Sequence, residues 1–221
     1  SPATTTDYTV TVTDANNCTN NDDVRVTVNQ RPPTNAGQDQ PICFGDTIPL
    51  QASGAVSYTW APAVGLSDPT IANPDAYPTS TTTYTVTGTA ANGCTETDEI
   101  TITVNPLPTI SLTPNSSICQ GEDIQLVASG GTGYSWSPAA SLSCTNCPAP
   151  VATPTQTTVY TVEVSTAAGC IDTASVEVFV ATPASIGIPN DTAVCPGESV
   201  TLNIIGGVTY DWEPKVDITN A

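Results

Sequence analysis

Eight cysteines and no histidine are the groups in this chain best placed to do chemistry. Cys18, Cys94 and Cys170 lie 76 residues apart, and Cys43, Cys119 and Cys195 keep the same step. Thiols at matched spacings, without imidazole beside them, point to a disulfide framework and away from a zinc site. The remaining two, Cys144 and Cys147, form a Cys-x-x-Cys where the positions one step earlier hold Asp68 and Ile71. Redox catalysis by such a pair needs a helix terminus that stabilises the thiolate. No helical periodicity surrounds it, so the expectation is a structural disulfide that closes a loop. An oxidising, extracellular setting follows.

Other chemistry finds little support. There is no Gly-rich phosphate loop and no nucleophile with a base in plausible reach, so no enzyme is expected. Asp98 and Glu99 are adjacent carboxylates, but neighbours on a strand face opposite ways, which rules out joint acid–base work. No cofactor is expected. A structural calcium ion at domain junctions is the one metal left open, because hard cations take oxygen ligands, yet no Asp-x-Asp-x-Asp-Gly spacing supports it. Three Lys+Arg against 21 Asp+Glu give a net charge of −18. That charge repels nucleic acid and anionic membrane surfaces. No apolar run is long enough to span a bilayer.

The elements that must hold the cysteines repeat with them. Trp60, Trp136 and Trp212 are 76 apart, as are Tyr58, Tyr134 and Tyr210, and Tyr8, Tyr84 and Tyr160. The step is longer than a solenoid turn and close to one small β-domain. In the middle copy, Ile110–Ser117 reads as an extended segment and Asp123–Ala128 as a second strand. Tyr134-Ser135-Trp136 places two aromatics on one face of a third. Pro-rich Ser137–Pro154 reads as a long loop with short edge strands. Thr157–Ser165 and Cys170–Val180 are two long strands joined at Ala168-Gly169, matching Asn92-Gly93 one step earlier, a strong hairpin signal. The fold class is all-β, a tandem array of immunoglobulin-like sandwiches. Trp60, Trp136, Trp212, Tyr58, Tyr134 and Tyr210 are expected in the cores, in preference to a sugar-stacking role for the tryptophans. Tyr84 and Tyr160 stand where a tyrosine corner would.

Asn35-Ala36-Gly37-Gln38-Asp39-Gln40, then Gly45-Asp46-Thr47 and Tyr58-Thr59-Trp60, resemble the opening of a PKD domain. The Cys-x-Gly-[Asp/Glu] turn, the run Thr81–Thr87 and Asn92-Gly93-Cys94 resemble PKD-like repeats of giant surface proteins in Bacteroidota, among them gliding-motility adhesins and other type IX secretion cargo. The chain departs from standard PKD domains after Trp60, where Ala61-Pro62-Ala63 replaces an Asp-Gly-rich segment. The resemblance implies repeats at 32–107 and 108–183, the end of one at 1–31 and the start of another at 184–221. It also implies a stalk or filament segment at the cell surface that presents an adhesive or other tip. Carbohydrate- or protein-binding repeats, for which Tyr77 and Phe44 are the exposed aromatics on offer, and accessory repeats of a large secreted enzyme are the alternatives. Within that phylum, Thr47, Thr173 and Thr192 fit an Asp-[Ser/Thr]-aliphatic type of O-glycosylation site.

In such a sandwich Cys43 precedes the second strand and Cys94 precedes the last, at opposite ends of the domain. The strand after Cys94 spans roughly 30 Å, whereas a disulfide needs Cα atoms within about 7 Å. The favoured pairing is therefore Cys43–Cys170 across a junction, with Cys18, Cys94, Cys119 and Cys195 paired outside the complete domains. Within-domain pairs, Cys43–Cys94 and Cys119–Cys170, are the alternative. The expected partners are adjacent copies or repeats in a head-to-tail fibre. Ser1 aligns with Tyr77 and Ala221 with Pro69, so the chain is expected to open and close inside domains. It reads either as an excerpt of one continuous polypeptide or as subunits that share a split domain, with Ala221 within loop reach of a neighbour's Ser1.

Overall fold

The computed structural model describes residues 2–183, 185–187 and 190–213. Alternation of apolar and hydroxyl side chains makes nearly every ordered element a strand. A leading hairpin pairs β1 (Thr6–Thr13) with β2 (Thr19–Val26), antiparallel. The first sandwich comprises β3 (Gln40–Cys43), β4 (Ile48–Pro49), β5 (Ser57–Ala61), β6 (Asp75–Ala76), β7 (Thr82–Thr89) and β8 (Thr95–Asn105). Its main sheet runs β3-β8-β7-β5, and β4-β6 with the Asn35–Ser53 bridge forms a short facing layer.

The second sandwich repeats the plan. β9 (Ser111–Leu112) pairs with β12 (Ala128–Ser129), and β11 (Ile124–Gln125) with β14 (Val151–Ala152). The main sheet runs β10-β16-β15-β13, from β10 (Ser116–Cys119), β13 (Gly133–Ser137), β15 (Thr158–Ser165) and β16 (Ile171–Ala181). Each strand β3–β8 has its counterpart 76 positions later, and β1 and β2 stand 76 positions before β7 and β8. The chain divides into two compact units: residues 1–107 with the hairpin tip 168–170, and the rest of 108–221.

Each core lies between main sheet and facing layer. In the first, Leu50, Trp60, Tyr84, Val86, Ile100 and Ile102 are buried; Leu126, Trp136, Tyr160, Val162, Val176 and Val178 fill the second. Burying aromatics and branched aliphatics at this density is the main stabilising term for so small a domain.

Three expectations need correction. Asp123–Ala128 is not one strand: Leu126 and Ala128 still donate their amides to the Pro150 and Pro148 carbonyls, at 2.9 and 2.8 Å, but the prolines have no N–H to return, so the β11–β14 ladder lapses and β12 pairs with β9 on its other edge. Ile110–Ser117 is likewise broken, and β10 crosses to the other sheet to pair in parallel with β16. Side chains cap that switch, Asn115 Oδ1 accepting from the Glu177 amide at 2.9 Å and Asp39 Oδ1 from the Thr101 amide at 2.8 Å. The aromatics of the trailing segment do not share the burial of their counterparts. Tyr210 is 45% exposed and Trp212 half-buried. Among the described residues 185–213, the Gly187–Ile205 bridge is the one backbone pairing between strands, so no sheet covers these rings. The expected proximity of Ala221 to Ser1 of a neighbour lies outside the described residues.

Candidate functional site

Cys43 ends β3, and the parallel ladder places it opposite Asn105 at the end of β8. The turn after it is tight. Asp46 donates its amide to the Cys43 carbonyl at 3.0 Å, and its carboxylate accepts the Cys43 amide at 3.1 Å. Gly45 at φ +93° permits this turn, since other residues are strained there. Cys94 sits at the opposite end of β8, about 33 Å away along an 11-residue strand. Cys43 therefore cannot reach Cys94.

Cys43 bonds Cys170, with Cα atoms 5.5 Å apart and a sequence separation of 127. Cys170 closes the hairpin between β15 and β16, where Gly169 at φ +85° makes the turn. Its Sγ lies 3.9 Å from the Asn105 carbonyl, the backbone group across from Cys43. The hairpin tip is thereby part of the first compact unit, although the strands it joins belong to the second.

The earlier hairpin repeats this arrangement without its bond. Cys94 Sγ lies 3.8 Å from the Asn29 carbonyl, and Asn92 Nδ2 donates to the Gln30 carbonyl at 3.1 Å. Arg31 adds an ion pair with Glu96 at 3.2 Å, on exposed side chains. Cys119 and Cys195 stand in turns like that of Cys43, their amides bound by Glu122 at 2.8 Å and Glu198 at 3.4 Å. Cys18, Cys94, Cys119 and Cys195 are free thiols in this chain, and three of them are exposed.

Cys144 and Cys147 are bonded to each other. The Cys147 carbonyl accepts the Trp136 indole N–H at 2.9 Å, and in the first sandwich Trp60 donates to Ile71 at 3.0 Å. Where the second loop has its disulfide, the first has Asp68 Oδ1 accepting from Thr70 N and Oγ1, at 2.8 and 2.7 Å. Those bonds hold the Asp68 carboxyl below the usual carboxylate range, the Thr70 hydroxyl contributing most.

The other candidates are structural as placed. Trp60 and Trp136 are 2% and 3% exposed, so neither offers a face to sugar. Tyr58 and Tyr134 are half-buried, with hydroxyls on the Ala55 and Gly131 carbonyls. Tyr84 and Tyr160 are fully buried. Their reach differs from a tyrosine corner, which bonds a few residues upstream. Tyr84 donates to Val64 and Gly65, at 3.1 and 3.4 Å, and Tyr160 meets Ser141 at 2.6 Å, both in the loop after the tryptophan strand. Burial, reinforced by Tyr77, pushes the Tyr84 hydroxyl pKa up. Asp98 accepts the Ala36 amide and Glu99 the Thr85 hydroxyl, so the two carboxylates serve separate bonds. Thr47, Thr173 and Thr192 are exposed. Tyr77 and Phe44 are about half exposed, and Tyr77 binds the Leu66 carbonyl at 3.2 Å beside a concavity of about 360 Å3. Among the described residues no three His, Cys, Asp or Glu side chains gather as a metal site, and no helix is long and apolar enough to cross a membrane.

No family model matches the sequence, and no curated protein matches it. Among solved structures, the chain is similar to extracellular domains 3–5 of Drosophila OTK at 10% identity and TM-score 0.42, over 80% of this chain and 72% of that one. It is similar to the insect immune protein hemolin at 13% identity and TM-score 0.39, over 80% of this chain and 56% of that one. It is also similar to a Ca2+-stabilized, ice-binding adhesin of an Antarctic bacterium at 12% identity and TM-score 0.38, over 84% and 60%.

Proposed function

We propose that the chain is a stalk segment of a secreted surface protein, its immunoglobulin-like sandwiches strung head to tail and its role mechanical. The observation that carries this reading is the Cys43–Cys170 bond. It fastens the end of β3 to a hairpin 127 residues away, at the carbonyl of the last residue of β8. The neighbouring hairpin holds Cys94 beside the Asn29 carbonyl in the same way, without the bond. Hydroxyl-rich outer strands and sparse charge suit a surface that meets solvent for its whole length. The source is a bacterium whose surface proteins carry PKD-like repeats, with O-glycans on Thr47, Thr173 and Thr192. The disulfides support a setting outside the cell. Burial of Trp60, Trp136, Tyr84 and Tyr160 in the cores supports a structural role for these rings.

The test is electron microscopy of the purified, oxidised chain. Extended rods or filaments of narrow, even width support the reading. Globular particles that bind a glycan array through Tyr77 or Phe44, and lose binding on their replacement by alanine, would replace it with the binding-module alternative.

A further inference from the structure

The two complete sandwiches part company at one place. In the second, β9 and β12 carry their pairing one rung further, to Thr113 and Val127. The Thr113 amide donates to the Val127 carbonyl at 3.0 Å, and the Thr113 hydroxyl accepts the Val127 amide at 2.7 Å. In the first, Asn35 and Ser53 exchange both bonds at 3.0 Å, but the next rung, Gly37 with Gln51, is not made. Gly37 stands at φ +91°, which suits glycine, and its amide turns to Asn35 Oδ1 at 2.9 Å. The Gln51 main-chain amide and carbonyl are left without a partner among the described residues.

Where the rung is missing, a groove of about 570 Å3 opens, within the size range of small-molecule sites. A Cβ at position 37 would stand 3.8 Å from the Ile100 side chain and 3.9 Å from the Gln51 carbonyl oxygen, so glycine keeps the groove open. Buried Leu50 and Ile100 lie at its base, and Asn35, Gln40, Gln51 and Asn73 stand exposed around it. At the counterparts of these four amides the second sandwich has Ser111, Ser116, Val127 and Ala149. The scaffold repeats, and the amides do not.

The chemistry of the groove defines its ligand. No charged side chain lines it, so it selects neither anion nor cation by ion pairing. A chain of net charge −18 also repels anionic molecules. Each carboxamide offers two N–H donors and a carbonyl acceptor, and the Gln51 main chain adds one of each. Hydroxyls match such a set, because each donates once and accepts twice. The second sandwich shows the match, since the group that takes the Val127 amide is a hydroxyl. A peptide strand would serve the Gln51 main chain but not the amides around it. We infer that this groove of the first sandwich binds a neutral glycan, its hydroxyls held by the Gln51 main chain and by the Gln40, Gln51 and Asn73 carboxamides. The site goes beyond the stalk reading and does not rest on it. It also shares no lining residue with the concavity at Tyr77.

The isotope-labelled 221-residue chain provides the test by NMR titration. The probes are four neutral oligosaccharides (maltohexaose, cellohexaose, mannohexaose and xylohexaose), with oligogalacturonate as the anionic control. At least one neutral probe should shift the Gln51 main-chain amide and the side-chain amide signals of Gln40, Gln51 and Asn73. Oligogalacturonate should leave them in place. Gln40→Ser, Gln51→Val and Asn73→Ala together install residues with which the second sandwich already folds. That variant should bind about tenfold more weakly or worse, as the loss of several hydrogen bonds requires, at an unchanged melting temperature. Tyr77→Ala should bind as the parent chain does. No shift with any neutral probe, binding that survives the triple exchange, binding lost in Tyr77→Ala, or stronger binding of oligogalacturonate would overturn the inference. Electron microscopy decides the stalk reading separately.

Discussion

Cys43 and Asn105 face each other at the last rung of a parallel ladder, and the Asn105 carbonyl lies 3.9 Å from the sulfur that Cys43 bonds. The Phe44 amide also donates to that carbonyl, at 2.9 Å, so the disulfide sits at the end of the β3–β8 ladder and ties it to the hairpin tip 168–170.

The two disulfides should differ in what they contribute. Closing a loop of 127 residues removes far more unfolded-chain entropy than closing one of three. The loop-entropy relation gives about 5 kcal/mol for Cys43–Cys170 and about 2 kcal/mol for Cys144–Cys147. Urea unfolding should therefore show Cys43→Ser/Cys170→Ser to be much the more destabilising pair. Equal losses would mean that local packing, not chain entropy, sets the effect.

Trp60→Ala should cost about 3–5 kcal/mol, the usual toll of emptying a core aromatic site, and Trp136→Ala the same. Trp212→Ala in the isolated chain should change stability by under about 1 kcal/mol, because a half-exposed ring leaves little cavity. Urea titration of the three variants checks the contrast.

Tyr84 supplies a pH test. Burial raises its pKa in the folded chain, with Tyr77 adding to the shift. The neutral phenol is the form the fold favours. Its stabilisation is complete below the unfolded pKa near 10 and falls away as pH rises through the higher folded value. Stability should drop above about pH 10, and Tyr84→Phe should flatten that drop while costing about 1 kcal/mol at neutral pH for the lost bond to Val64. An unchanged alkaline limb in Tyr84→Phe would assign the drop to other groups.

Much of this was legible in the residues. Tyr58-Thr59-Trp60 announced a strand with one wet and one dry face, and Asn92-Gly93 a hairpin, realised with Gly93 at φ +80°. The length of the strand after Cys94 was enough to favour Cys43–Cys170. What did not show was pairing between distant segments. The turn at Cys43–Asp46 hid a parallel strand, because four residues carry no period that separates an edge strand from a loop. The break between β11 and β12 depends on Pro148 and Pro150, 20 and 24 positions from the residues they face and unable to donate an amide back. Tyr84 looked like a corner because its sequence neighbours fit one, while its hydroxyl found the loop at Val64.

Native material should carry glycan on exposed Thr47, Thr173 and Thr192. Thr173 is the most informative of the three, since it lies on β16 with its side chain to solvent. Intact-mass and peptide spectra would show hexose-bearing forms that disappear in Thr→Val variants. Unmodified peptides at all three positions would remove glycosylation from the account.

The mechanical claim is tested most directly by pulling single chains from their two ends, with and without reductant. With Cys43–Cys170 intact, the chain between them, a sequence separation of 127, is shielded, and neither sandwich should contribute its full length to the extension. Reduction should add about 400 Å of contour, at roughly 3.3–3.6 Å per residue less the folded length. That gain on reduction, absent from Cys43→Ser/Cys170→Ser, is the predicted result. Equal extension in both conditions would contradict a stalk in which the disulfide carries the load.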